Sequence, residues 1–398
     1  MNKSILLVAV AALIMSVSCS KNNPDQDPEN SFNRVFVMFS GGYNNLVTYL
    51  QRDQSDIIGE APDSKLPLKG SGDVAVLVSH LSVDRIDYET PTPTYIIRMC
   101  REGNGTPVLD TLKTYPPETR MTDRETLRDI FNFVLTTFPA RHYGALYSSH
   151  GTGWLPEGYY NNMKWPSKSI GCEAMDDGKK VVSVETDIKD FAAAIPMHLD
   201  YLLLDACLMG CVEVAYELKD VVDKVAFSGT EILAAGFDYT KILDDLFPAG
   251  GDSNPEAVCR DYFAQYVDGR SGGATISLVD CKELDGLAKV CKRLFEQYRD
   301  QMNAIKASNV QGFFQSNKHF CYDLADIMDN AGLSAADKAE FKAALDKCIL
   351  YKANTVEFQS VSLRTWCGMS MYLPANGYED LKDYYMGLAW IRATSLVK

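Results

Sequence analysis

Tyr201–Cys211 reads YLLLDACLMGC. Its first four residues are an apolar run too short to make a helix of its own. They read as a strand buried in the middle of a parallel sheet. Asp205, Ala206 and Cys207 interrupt the run with a charge and a thiol, and helical spacing resumes over Cys211–Leu218. Cys207 is therefore expected where a core strand ends and a helix is about to begin. Open α/β sheets gather their chemistry at the carboxyl ends of strands. A helix N-terminus also favours negative charge, so a thiol there is expected to ionise more readily.

A thiolate nucleophile needs a base, and the chain has five histidines. Tyr143–Trp154 reads YGALYSSHGTGW. Ala145–Tyr147 is a second short core strand, His150 follows its end, and Gly151 and Gly153 make a tight loop. If the two strands are neighbours in a parallel sheet, His150 and Cys207 face one cleft, which is the cysteine–histidine arrangement for acyl transfer. Backbone N–H groups of Gly151 and Cys207 would then bind the developing oxyanion, because glycine lets a backbone approach a substrate closely. His80 also ends a strand, but Leu81-Ser82 follow it without glycine, so it reads as structural. His142, His198 and His319 lack such a context, and Cys211 reads as structural. Asp205, two residues before Cys207, points to the same face of the strand. It reads either as a capping or core-network carboxylate or as the floor of a pocket that pairs with a substrate cation. Asp176, Asp177 and Asp238 are further acidic groups for such a pocket.

His150-Gly151-Thr152-Gly153-Trp154 followed by Asp205-Ala206-Cys207-Leu208-Met209 resembles the clostripain family of cysteine peptidases. Glu213–Leu218 is similar to that family's helix after the nucleophile. Gly236–Tyr239 is similar to its Gly-Trp-Asp-Tyr segment, and Gly368–Pro374 to its late strand Gly-Leu-Ser-Ile-Tyr-Leu-Pro. The resemblance spans most of the chain after about Asn33. It implies a caspase-like α/β/α sandwich with a mostly parallel central sheet plus a C-terminal α+β lobe. It implies a Cys207–His150 dyad, Asp205 in substrate binding, and cleavage after Arg or Lys. The catalytic pair needs no metal. Some relatives use calcium, and no EF-hand loop is present. Family members are often cut between their His and Cys parts, so the surface segment Leu155–Lys180, with Lys164, Lys168, Lys179 and Lys180, is a candidate for self-cleavage at Lys164 or Lys168. Glu231–Gly236 lacks the Pro of the family's acidic loop, which leaves a non-basic preference as an alternative. A non-catalytic surface lipoprotein that binds peptides or a partner is the other.

Lys3, the apolar Ile5–Ile14 and the small residues leading to Cys19 form an export signal over 1–18. Ser16–Cys19 resembles a bacterial lipoprotein box, so Cys19 is the expected lipidation site and 19–31 a disordered tether. The expected location is the cell envelope or surface, with a membrane contact through the lipid. Residues 32–271 read as the peptidase domain and 272–398 as the C-terminal lobe. A net charge of −14 argues against nucleic acid and fits polypeptide substrates with basic residues. A monomer is expected. Of eleven cysteines, ten remain after Cys19 and show no disulfide framework. Cys100, Cys281, Cys291 and Cys348 lie in apolar runs and read as core thiols, and without a Cys-x-x-Cys pair no structural zinc is expected.

In chain order, Arg34–Ser40, Val74–Ser79, Tyr95–Met99 and Val108–Lys113 read as strands. A short helix over Asn45–Gln51 and a loop over Asp53–Gly72 separate the first two. Thr122-Asp-Arg-Glu reads as a capping box before a helix with Leu127, Ile130, Phe131, Val134 and Leu135 on one face. Val184–Ile195 reads as a helix, Lys224–Phe227 as a strand, and Leu284–Met302 as a long helix.

Overall fold

The computed structural model describes residues 31–397 apart from 86, 88–89, 158, 160–169, 177–180, 268, 314–319, 374–376 and 378. The expected export signal, Cys19, Lys164, Lys168, Lys179, Lys180, Asp177 and His319 lie outside the described residues.

Strands β1 (Phe32–Gly42), β2 (Asp73–Leu81), β3 (Thr94–Arg101), β4 (Pro107–Tyr115), β5 (Ala140–Ser148), β6 (Ile170–Asp176), β7 (Val181–Thr186), β8 (Leu199–Asp205), β9 (Val222–Phe227), β10 (Thr275–Asp280), β11 (Tyr322–Asp323) and β12 (Ile349–Asn354) alternate with helices along most of the chain. The helices are α1 (Val47–Ile58), α2 (Arg124–Thr137), α3 (Ile188–Ala194), α4 (Val212–Leu218), α5 (Ile242–Leu246), α6 (Pro255–Val267), α7 (Leu284–Gln297), α8 (Arg299–Asn303), α9 (Leu324–Asn330), α10 (Ala335–Cys348), α11 (Lys382–Met386) and α12 (Ala389–Thr394).

One nine-stranded sheet runs in the order β12-β10-β9-β8-β5-β1-β2-β3-β4. The strands β9, β8, β5, β1 and β2 are mutually parallel. An antiparallel pair closes each edge. The central strands are continuous apolar runs because both faces are covered. Successive side chains of β1 go to opposite sides. Val35, Val37 and Phe39 join a core with α2, α3, α4 and α7, whereas Phe36 and Met38 join a second core with α1, α5 and α6. The result is three layers, helices on both faces of a sheet.

Residues after 272 supply β10 and β12 to this same sheet, and α7, α9, α10 and α12 bury side chains in the first of the two cores. The boundary drawn at 272 thus falls between strands of one sheet rather than between two separate cores.

Several elements differ from the sequence reading. Helix α1 runs on to Ile58, so Asp53 is helical and not in a loop. Asp123, not Thr122, is the N-cap of α2, and it makes no side-chain cap bond. The Thr122 hydroxyl instead donates to buried Glu173 at 2.7 Å. Glu173 also faces His80 Nδ1 at 2.5 Å, and His80 Nε2 lies 3.2 Å from Thr92 O, so His80 is a buried structural group. Ile170–Asp176 and Val181–Thr186 form an antiparallel pair where a surface loop and the start of a helix were expected. The long helix expected over Leu284–Met302 breaks at Tyr298.

Parallel β5 and β8 are registered Gly144↔Tyr201 through Ser148↔Asp205. A Cβ on Gly144 would overlap the Tyr201 ring. Gly144→Ala is therefore expected to destabilise the chain by about 1–3 kcal/mol, read as a lower urea midpoint. A midpoint equal to wild type would show that this close approach is not required.

Candidate functional site

Ser148↔Asp205 is the last paired position of β5 and β8, so the two strands end level with each other. His150 and Cys207 each lie two residues beyond that level. Both line a cavity of about 130 Å³, together with Asp53, Asp205, Ile232 and Leu233. This is smaller than a site for a whole drug-sized ligand, roughly 300–1,000 Å³, and is suited to one side chain. A larger cavity of about 310 Å³, lined by Phe295, Arg299, Met302 and Tyr385 among others, contains neither a cysteine nor a histidine.

Cys207 is half-buried, whereas the other nine described cysteines are buried. Burial pushes the thiols of Cys211, Cys291 and Cys367 well up, and Cys348 up to about 12. Exposure therefore singles out Cys207 among the described thiols. Its Sγ lies 3.6 Å from Ile232 O. The expected helix N-terminus is not at the thiol. Helix α4 begins at Val212 with Cys211 as N-cap, and Cys207 occupies the preceding turn. That turn is held to the end of β9, where Leu208 N donates to Thr230 O at 3.0 Å and Gly210 N to Ser228 O at 2.7 Å. Leu208 adopts φ 61°, a left-handed conformation that costs a non-glycine residue about 1–2 kcal/mol. Strain of this kind collects where a turn must present a side chain.

Asn45 sits in the turn between β1 and α1, and its Oδ1 lies 2.7 Å from His150 Nε2. An amide oxygen only accepts, so this bond assigns the ring proton to Nε2 and leaves Nδ1 as the basic nitrogen. Neighbouring Asn44 fixes the turn by donating to Gly41 O at 2.9 Å and Cys172 O at 2.7 Å. A Cβ on Gly151 would come within 2.8 Å of Cys207 O and 2.9 Å of Ala206 Cβ. Glycine is what lets the His150 loop abut the Cys207 turn.

Asp205 is buried at 6% exposure. Its Oδ2 accepts from Tyr239 OH at 2.5 Å and from Ser148 Oγ at 3.1 Å. Burial pushes the carboxyl up to about 6, against the pull of Tyr239, Ser148, the Phe237 N–H and Arg270. Gly236, at φ 56°, wraps this carboxylate so closely that a Cβ would overlap Oδ2. Asp53, on the inner face of α1 with Val47, Leu50 and Ile57, is also buried. Burial, and then the charge of Asp205, push it up to about 8. Asp238 faces Lys241 at 3.3 Å and is not among the residues lining the cavity. The Asp176 side chain lies outside what is described. His142 pairs with Asp200 at 2.7 Å and His198 with Asp223 at 2.6 Å, both on the surface.

The sequence reading missed Asn45 and Asp53. The signal for Asp53 was a charge at helical spacing between Leu50 and Ile57; Asn45, in a turn, gave none. Among the described residues, no group of three or more His, Cys, Asp or Glu side chains is arranged to hold a metal ion.

The clostripain family profile matches residues 38–393. Clostripain of Hathewaya histolytica is 28% identical over 164 residues, which are 38% of this chain and 29% of that protein. The match therefore spans less than a third of that relative's length. An inactive zymogen C11 protease from Parabacteroides distasonis has a TM-score of 0.75 at 26% identity, covering 93% of this chain and 99% of that one. A secreted C11 cysteine protease from Bacteroides thetaiotaomicron, solved with an irreversible peptide inhibitor, has a TM-score of 0.73 at 21% identity and covers 92% and 100%, and so shares the fold. The mixed α/β sandwich is thus the caspase-like one that the sequence implied. Because the matched region takes in both strand ends and the loops that follow them, the chain belongs to the clostripain family of cysteine peptidases.

Proposed function

We propose that the chain is an endopeptidase in which Cys207 attacks the scissile carbonyl and His150 manages the proton. The observation that carries this reading is that the one half-exposed described thiol and an imidazole line one cavity from adjacent strand ends. His150 Nδ1 takes the thiol proton, and the thiolate sulfur bonds to the carbonyl carbon. Backbone N–H groups of Gly151 and Cys207 stabilise the oxyanion. The tetrahedral adduct collapses, the C–N bond breaks, and the imidazolium protonates the leaving amine. Water, deprotonated by the same imidazole, then cleaves the thioester and restores the thiol. Asn45 is a positioning residue that fixes the ring and its tautomer.

Asp205 forms the floor of the pocket and pairs with a P1 Arg or Lys. Its supports are burial, position beside Cys207 and a carboxyl that is ionised above about pH 6. The protein is read as exported and anchored through Cys19, acting on basic polypeptides as a monomer. The Bacteroides relative is likewise described as secreted.

Four outcomes are expected. Cys207→Ala and His150→Ala each lower turnover of fluorogenic peptides by at least about 10³-fold. Asn45→Ala lowers kcat by on the order of 10²-fold with little change in KM, as misorientation does. Full activity in any of the three removes that residue from its role. Asp205→Asn selectively loses Arg and Lys substrates while Cys207 remains open to alkylation. An unchanged preference would remove Asp205 as the group that sets it, whereas a wild-type enzyme without preference for Arg or Lys would shift the reading to an uncharged P1 side chain, which Ile232 and Leu233 of the wall would accept. Mass spectrometry of the purified protein should find a cut at Lys164 or Lys168 that is absent from Cys207→Ala. A single uncut chain in both ends the self-processing idea.

A further inference from the structure

We infer that Asp53 is a second specificity-determining carboxylate of the P1 pocket, so that a substrate guanidinium or ammonium is held between acids from two elements, α1 and β8. This rests on the reading of the cavity as a peptidase pocket.

Asp53 is 4% exposed, on the buried face of α1, yet it lines the same cavity as Asp205 and Cys207. Among the described residues its carboxyl has no hydrogen-bond partner, and burial and neighbouring charges dominate its ionisation. Gln54 beside it turns its amide away, to Ser40 Oγ and Ser79 Oγ at 2.9 Å each. Asp205, by contrast, is held on Oδ2 by Tyr239 and Ser148. A buried carboxyl without a donor weakens a fold, and a cation entering the cavity supplies the missing partner. A guanidinium brings five N–H donors in a planar fork and an ammonium three, enough for two acids at once.

Two carboxyls in one poorly solvated pocket do not both ionise readily. The groups facing Asp53 are Asp205, Asp56, Arg52 and Arg270, with Tyr239 also in its field and His150 and Cys207 across the cavity. Burial and the Asp205 charge push Asp53 up to about 8. Below that pH a P1 cation must therefore displace a proton from Asp53, and above it the carboxylate is ready. Cation preference rises with pH through about 8.

The test uses the full chain, Asp53→Asn and Asp53→Ser with fluorogenic peptides differing only at P1: Arg, Lys or citrulline, the uncharged analogue of Arg. The ratio of kcat/KM for Arg over citrulline cancels the ionisation of Cys207 and His150, which both substrates share. In wild type the ratio should climb between pH 7 and 9. In the variants it should be lower by roughly 10- to 100-fold at the upper end and keep only the rise near pH 6 that Asp205 gives. Melting temperature and alkylation of Cys207 show that the variants are folded at the site. Should they fail to fold, the wild-type pH profile decides alone. A ratio equal to wild type in a folded variant, or a wild-type ratio flat from pH 7 to 9, overturns the inference. If wild type cleaves citrulline and Arg peptides equally, the peptidase reading stands and the acidic pocket falls; if it cleaves none of the three, both fall.

Discussion

Everything at the site depends on the parallel pairing of β5 with β8. Parallel strands in register end on the same side of a sheet. The five matched positions from Gly144↔Tyr201 to Ser148↔Asp205 therefore deliver the loop bearing His150 and the turn bearing Cys207 to one edge. Two glycines enforce the closeness. Gly144 leaves room for the Tyr201 ring, and Gly151 leaves room for the Cys207 turn. A shift of one residue in this register would send alternate side chains to the other face and separate the thiol from the imidazole.

Around that edge the usual rules of burial are broken. Asp205, Asp53 and Glu213 are buried acids, each with its carboxyl pushed up by loss of water, the last to about 7. Leu208 is strained beside them. Hydrophobic burial in the two cores offsets these costs, and the acids are not interchangeable. Glu213 accepts from Tyr372 N and Tyr385 OH, both at 2.9 Å, and so ties α4 to the C-terminal residues. Trp154, just past His150, packs its ring 4.8 Å from Tyr372 and 4.7 Å from Tyr385. The C-terminal segment thus braces both the His150 loop and the helix that follows Cys207. Ala389 N adds a bond to Glu217 of α4, and the Trp390 ring packs 5.5 Å from Tyr216.

How much of this was legible follows from which forces act locally. The Tyr201–Leu204 run had to be a central strand, because four apolar residues ended by a charge fit little else. The glycines around His150 marked a loop for the same local reason. Asp53 was hidden because Gln51–Asp56 is polar and reads as a surface, while Val47, Leu50 and Ile57 hold the helix from one side only. The Thr122 capping box failed because a buried acid distant in sequence, Glu173, competed for the hydroxyl. Cys207 missed the helix start because the chain needs a turn anchored on Thr230 and Ser228 before α4 can begin at Val212. The capping box and the helix start are both cases of a tertiary contact overriding a local preference.

The central claim is that one thiol, and no other among the described residues, is paired with a base. It is tested most directly by treating the full chain with a peptidyl ketone that bears a leaving group and a P1 Lys, then mapping the adduct by mass spectrometry. The account predicts a single adduct on Cys207, formed far more slowly once His150 is replaced by Ala. An adduct on one of the buried cysteines, or labelling of Cys207 that is indifferent to His150, would contradict it.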